Sequence, residues 1–386
     1  MGFILSLLIN KSAVSQFKDS DYSRDLVVGE LSGRVDPVDI WNMIQTRYYP
    51  VIGNNTNLEK VIDSSQEQIY KVNYPEGNFV DHPGRVIFKF YDSENSLIAA
   101  TIIEEIDFAI TESYGAAEEV DKSTSSFRVH FRYQNPNHVK LIAYNNQNYI
   151  LKSAAVRQAL TYAIDRSYIL EKILGRAAYL ADGPLSRESK FHAPVDEYKF
   201  NPRKALQLLH QDNWIDSDDD GVLDKNGQPF RISLIYEKGV LLEEQLATRI
   251  KIDWNKIGID VIRKPLVKSE IKEKMEERSY DVILTSHVFD ETIESFEAFF
   301  GSTSDENFLG YKNRKVDHFI SLYKIQKEPT SKKLMFQAIQ RQVSEDQAAA
   351  FLFYLWVDRY FVNQKKFANF MSKGQLLPFT DWKLRK

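Results

Sequence analysis

The sequence predicts an α/β protein of interleaved lobes, with mostly parallel sheets flanked by helices. Two observations carry most of this. From Phe230 to Ser286 the chain runs strand, helix, strand, helix, strand, at lengths that fit a pair of βαβ units and therefore parallel pairing. On either side stand further segments with period-two alternation, and neither an internal repeat nor a low-complexity linker separates them. A chain of 386 residues is long enough for one large core or two moderate ones.

Composition narrows the function classes. A formal net charge of -4 gives no electrostatic reason to expect nucleic acid. With no cysteine there is no disulfide, thiolate metal site or cysteine nucleophile. Aromatics make up 13% of the chain, which suits aromatic-lined clefts and large cores alike.

Taken in order, the apolar run Phe3–Ile9 falls far short of the ~20 residues of a membrane span. It lacks a preceding basic residue and a clear cleavage site, so it reads as a buried strand or helix start and not as a signal peptide. Lys11–Arg24 and Gly53–Ser65 are rich in turn formers. Regular signals begin at Arg85. RVIFKFY alternates through Val86, Phe88 and Phe90; Leu97–Ile103 reads as helix, EEIDFAI as a short strand and SFRVHFRY as another. HVKLIAYN precedes a long helix from Ser153 to the capping position of Gly175, with Arg166 on its solvent face. Asn201-Pro202 starts the next helix, because Asn caps the free N–H groups and Pro has none to lose. FRISLIY, a helix over Leu241–Ile257 ended by Gly258, IDVIRKP, a helix over Ser269–Arg278 and YDVILTS complete the βαβαβ run. A last helix, Ser331 to Asp346, precedes the strands AFLFYLW and RYFVNQK.

One stretch is specific beyond its chemistry. VRQALTYAIDR, Val156–Arg166, resembles the central motif of the family 5 extracellular solute-binding proteins, the peptide, dipeptide and nickel receptors of ABC importers. Glu105-Ile106-Asp107, Asn145, Gly183-Pro184, YKFNPRKALQLL, the acidic hairpin DSDDDGVLDKNGQPF, NKIGIDV, YDVILTSHVFD, NFLGYKN and FLFYLWVDRYFV continue the likeness in order from Arg85 to Lys386. Of the family's N-terminal segments only an echo is found, in Tyr22–Asp25 and Val28-Gly29. The resemblance implies periplasmic-binding-protein type II-like lobes, the first incomplete. Residues 1–144 would be a remnant of the first lobe, with 346–386 returning to it, and 145–345 the second, ligand-binding lobe. The chain would cross between lobes near Tyr133–Asn145 and Asp346–Ala350.

The implied function is the substrate-binding component of an ABC importer that captures peptides or similar small solutes between two lobes. Its partners would be that ligand and the membrane permease subunits, without nucleic acid. It would act as a monomer in the periplasm or outside the cell. Two alternatives stay open: a degenerate binding or interaction module, and an α/β-fold enzyme. For the enzyme no feature speaks, because G-x-S-x-G, H-E-x-x-H and the phosphate-loop patterns are all absent.

In peptide-binding members an aspartate after the Gly-Trp of the loop that follows this third strand pairs with the ligand's α-ammonium. Asp290 matches it, and His287 stands in the place of Trp. Asn145, Asn307 and Tyr311 are polar groups at strand or loop ends in matched motifs, readable as ligand contacts or as local struts. Asp216, Asp218, Asp220 and Asp224 follow calcium-loop spacing, but Gly227 stands where a bidentate Glu belongs. The alternative is a solvated acidic turn. No other cofactor is expected.

Overall fold

The computed structural model describes residues 25–31, 58–63, 67–72, 81–111, 113–133, 137–175, 178–355, 357–372, 375–376 and 382–385; Phe3–Ile9 lies outside them. The first lobe is built on β1 (Asp25–Leu31), β2 (Leu58–Asp63), β3 (Glu67–Val72), β4 (Arg85–Tyr91), β5 (Phe108–Thr111) and β6 (Phe127–Tyr133), with helices α1 (Glu94–Ile102) and α2 (Tyr114–Ser123). The second opens with β7 (His138–Tyr144), helices α3 (Ala154–Tyr162) and α4 (Arg166–Lys172), the short β8 (Tyr179–Leu180), α5 (Pro202–Gln211) and the hairpin β9 (Asp224–Lys225) and β10 (Gln228–Pro229). The expected βαβαβ run is β11 (Arg231–Glu237), α6 (Leu241–Asn255), β12 (Asp260–Leu266), α7 (Lys268–Glu276) and β13 (Val282–Val288). Helices α8 (Ile293–Phe300), α9 (Arg314–Ile325) and α10 (Pro329–Glu345) lead to β14 (Ala349–Tyr354), and β15 (Val357–Asn363) follows.

Strand order is β2-β3-β4-β1-β5-β15-β6 in the first sheet and β12-β11-β13-β7-β14-β8 in the second. The α/β class holds, but the sheets are mixed instead of mostly parallel. β1 is parallel to β4 and β5, and β11 to β12 and β13, whereas β7 runs antiparallel to both β13 and β14. Parallel pairing needs a long crossover. β7 instead enters its sheet straight from β6 of the first, so no helix forces its direction. β14 pairs within the second sheet and β15 within the first. The chain therefore returns between Tyr354 and Val357, later than the Asp346–Ala350 expected.

Local structure follows local chemistry. Asn201 caps α5 by accepting from the Lys204 N–H at 3.0 Å, as its Asn-Pro start predicts. The expected long helix over Ser153–Gly175 is two helices. The Asp165 side chain accepts from the Tyr168 N–H and caps a fresh start, so the chain breaks at Ala163–Asp165. β1, in a stretch without clear periodicity, holds its place through ion pairing: Arg85 grips Asp25 by two hydrogen bonds of 2.8 and 2.6 Å. Gly29 of β1 lies so close to Leu97 and Ile106 that a Cβ there would collide with the Leu97 side chain.

β7 divides the second core. Val139, Leu141 and Ala143 face Phe289, Phe296 and Phe336, while Ile142 and Tyr144 face the α6 side with Leu246, Ile250 and Trp254. Lys140, on that second face, forms a buried ion pair with Glu243. The same core continues into the first lobe through Leu97, Ile98 and Ile106. The lobes also meet through backbone. The Glu94 N–H donates to the Gly239 carbonyl at 2.8 Å, and the Glu94 carboxylate accepts from the Leu241 N–H (2.8 Å) and the Thr111 hydroxyl.

Arg166 is buried, not solvent-facing. Its guanidinium donates to the carbonyls of Ala181 (2.6 Å), Tyr198 (2.7 Å) and Phe351 (3.1 Å) and to Asp182 (2.8 Å). Arg166→Ala should therefore cost about 3–5 kcal/mol in urea unfolding, because it leaves buried acceptors and a carboxylate unpaired. Arg166→Lys should recover only part of this, since a single ammonium cannot span the four acceptors. Exposed Arg341→Ala should stay within about 0.5 kcal/mol. Equal losses at the two positions would contradict the clamp.

Candidate functional site

Ligands of α/β sheets gather beyond the carboxyl ends of parallel strands. Here that end is also where the chain passes between lobes, because Val288 at the end of β13 pairs with His138 at the start of β7. The two crossings are tied together: the Leu355 N–H donates to the His138 carbonyl at 2.8 Å. Asn137 then links two loops to this hinge. Its backbone carbonyl accepts from the Phe289 N–H (3.2 Å), and its side-chain oxygen accepts from the Ser186 N–H (3.0 Å).

Two of the predicted residues stand here. Asp290 is exposed between buried Phe289 and Thr292, whose side chain caps α8 by accepting from the Ser295 N–H. A pinned loop thus presents a free-standing carboxylate. The His287 ring lies 4.5 Å from both the Phe289 and Phe299 rings. Burial lowers its pKa to about 4, against the opposing pull of the Asp290 carboxylate. The imidazole is neutral at ordinary pH and offers a hydrogen bond without charge.

A hollow of about 430 Å³ with largely apolar walls is lined by Leu170, Tyr179, Leu180, Ser186 and Tyr354, with Arg187 and Glu188 also at it, and Ser186 ties it to Asn137. Tyr179 and Leu180 are exposed although apolar, at 54% and 40%. The Tyr354 hydroxyl is engaged, donating toward the Leu185 and Gly183 carbonyls at 2.8 and 2.9 Å. Burial pushes that phenol's pKa up. Sequence reading missed every lining residue of this hollow. Three distant segments build it, and the one local signal was the Gly183-Pro184 turn just before Ser186.

Asn145, Asn307 and Tyr311 belong to the opposite end. β7 separates Asn145 from the hinge by seven residues, about 20 Å of extended chain. Asn145 donates to the Arg278 and Tyr280 carbonyls and accepts from the Gln147 N–H. Asn307 donates to the Gly301 and Tyr311 carbonyls. The Tyr311 hydroxyl donates to Asp346 at 2.5 Å, and burial with that carboxylate raises its pKa. Each acts as a strut between loops, and the five predicted residues do not converge on one site.

The acidic turn brings Asp216, Asp218 and Asp220 oxygens within 4.8 Å of one another. Asp224 does not join them: its carboxylate accepts from the Ser217 N–H (2.9 Å) and hydroxyl (2.6 Å), closing the hairpin. Asp216 accepts from the Gly221 N–H and Asp220 from the Val222 N–H, so backbone donors already meet part of this charge.

Two α/β sheets are thus joined by paired crossings, and a mostly apolar hollow opens near them at Ser186 and Tyr354. Residues 55–307 match the family described as bacterial extracellular solute-binding proteins, family 5 Middle, and the chain belongs to that family. The oligopeptide-binding protein AppA of Bacillus subtilis (strain 168) is 29% identical over 220 residues, which are 55% of this chain and 40% of that protein. The match thus spans under half of that relative's length. The structure of B. subtilis AppA in complex with a nonapeptide superposes with a TM-score of 0.73 at 22% identity, covering 92% of this chain and 71% of that one. NikA from Staphylococcus aureus in complex with Ni(L-His)2 gives 0.69 at 17% identity, over 85% and 68%. These relatives are substrate-binding proteins. Among the described residues no helix is long and apolar enough to cross a membrane.

His287 supplies a pH test. Its folded pKa near 4 lies below the ordinary 6.5, so between these values the unfolded chain holds a proton that the folded one lacks. Stability should fall as pH drops from about 6.5 toward 4, with a contribution of up to about one proton. His287→Asn should show a shallower fall in urea unfolding across that window. Parallel curves for the two proteins would place the His287 titration elsewhere.

Proposed function

We propose that this chain is the substrate-capturing component of an ABC importer for peptides or similar small solutes, with the ligand held at the hinge end of the second sheet. The observation that carries this reading is Asp290. It is an exposed carboxylate at the carboxyl end of β13, on a loop fixed by Asn137, which also holds Ser186 at the wall of a mostly apolar hollow. A carboxylate in a closing cleft takes a ligand ammonium by a charge-assisted hydrogen bond, and apolar walls take its side chains. Paired crossings at Asn137–His138 and Leu355 supply the hinge about which two lobes close. The work is capture without chemistry, outside the cytoplasm and beside membrane permeases, by a monomer. The peptide-bound AppA relative supports a peptide ligand, and the nickel-complex relative supports small solutes more widely.

Asp290→Asn should weaken binding of peptides with a free amino terminus by about 1.5–3 kcal/mol, the range for a hydrogen bond to a charged group. N-acetylated peptides should bind wild type and variant equally poorly in calorimetric titrations. Acetylated and free peptides bound alike by wild type would remove Asp290 from the ammonium role.

A further inference from the structure

The two lobes touch at a place that the crossings do not explain. Ser93 and Glu94 stand just beyond β4, and Gly239 and Leu241 just beyond β11, so the contact joins carboxyl ends of parallel strands in the two sheets. β1 and β5 lie between β4 and β15 in the first sheet, and β13 lies between β11 and β7 in the second. At about 4.8 Å per strand, the contact stands roughly 10–15 Å from the crossings. A bond placed there must break before two lobes can swing apart about the hinge.

Its chemistry is specific. The N-cap of α6 is Val240, whose side chain offers no acceptor, so the first N–H groups of that helix need acceptors from elsewhere. Both carboxylates of its own first turn are engaged: Glu243 pairs with Lys140, and Glu244 accepts from the Tyr236 hydroxyl at 2.9 Å. Glu94 supplies what is missing. Its carboxylate accepts from the Leu241 N–H at 2.8 Å, where the helix dipole favours a negative charge. The Thr111 hydroxyl donates to the other carboxylate oxygen, and the Glu94 N–H donates to the Gly239 carbonyl at 2.8 Å. Gly239 permits the approach, because its φ of 83° strains any side chain and a Cβ there would collide with the Asp92 carbonyl. Glu94 and Thr111 are both buried, which shields the bond from competing water. Once the lobes part, water reaches the carboxylate and the helix end alike, so neither is left unpaired.

We propose that Glu94 is the latch of the cleft, a helix cap supplied by one lobe to the other, and that its bond to Leu241 sets the balance between closed and open lobes. This rests on the capture reading and names what regulates entry to that site.

The test reads the separation of the lobes in the full chain without any ligand. The chain has no cysteine, so spin labels on Asp121→Cys and Lys272→Cys, exposed positions of α2 and α7, report one distance by electron–electron double resonance. Glu94→Ala deletes the acceptor. Leu241→Pro deletes the donor and keeps the helix: proline is accepted at a first helical position, and Val240, at φ -94° and ψ 113°, already has the conformation required before proline. Each should raise the ratio of long to short distances at least about tenfold, as loss of a hydrogen bond to a charged group predicts. The double variant should open no further than either single one, because both break the same bond. Lys89→Ala, which breaks a partly exposed ion pair to Glu105 inside the first lobe, should leave the distances unchanged. Unchanged distances in folded Glu94→Ala and Leu241→Pro, or shifts that add in the double variant, overturn the latch. So does a shift in Glu94→Ala alone, which would confine the carboxylate to its own lobe with Thr111. Calorimetric titration with Ala-Ala-Ala tests capture separately. Opening that follows the latch with no tripeptide bound counts against peptide capture and leaves the latch standing.

Discussion

Arg157 and Arg166, one on each side of the break between α3 and α4, bury their guanidinium groups and spend them on backbone carbonyls. Arg157 reaches Leu151 and Lys152 nearby, and Asp346 and Gln347 far along the chain. Arg166 reaches Ala181, Tyr198 and Phe351. A buried cation is tolerable only where fixed dipoles replace its water, and these carbonyls do so. Their positions are therefore constrained together: the helix pair, the Gly183-Pro184 turn and the start of β14 share one frame. That frame fixes where β14 enters the second sheet, through the Gln347 and Phe351 carbonyls.

The hinge inherits this order. β14, clamped at its start, runs to Tyr354, and the next residue bonds to His138 at the mouth of β7. The loop after β13 and the loop at Ser186 both hang on Asn137. Groups offered to a ligand are thus set on backbone that the buried clamps have already positioned.

Much of this was legible in the residues. Alternation and helical spacing located the βαβαβ run, and the Asn201-Pro202 start read correctly because capping is local chemistry. What escaped was information held between segments. Strand direction is not written in a strand, so the mixed pairing of β7 was invisible. Apolar spacing runs through Leu160 and Ile164 toward Ile169 without interruption, so the Asp165 cap was absorbed into one long helix. Arg166 looked like a surface residue because its acceptors are main-chain oxygens, which every residue carries. The strand-end rule pointed to the loop after β13, and the family resemblance picked out His287 and Asp290 within it. The Ser186 hollow could not, as residues 170–188 meet Tyr354 only in three dimensions.

The motif that makes this chain recognisable and the loops that would meet its ligand lie at different places with different obligations. A change in VRQALTYAIDR disturbs a buried clamp and is answered in folding. A change at Asp290, Leu180 or Arg187 falls on exposed side chains whose loss the fold scarcely registers. The structures of B. subtilis AppA with a nonapeptide and of S. aureus NikA with Ni(L-His)2 share one architecture with this chain. Under the capture reading, cargo would be set at exposed positions such as Asp290, which the fold leaves free to change.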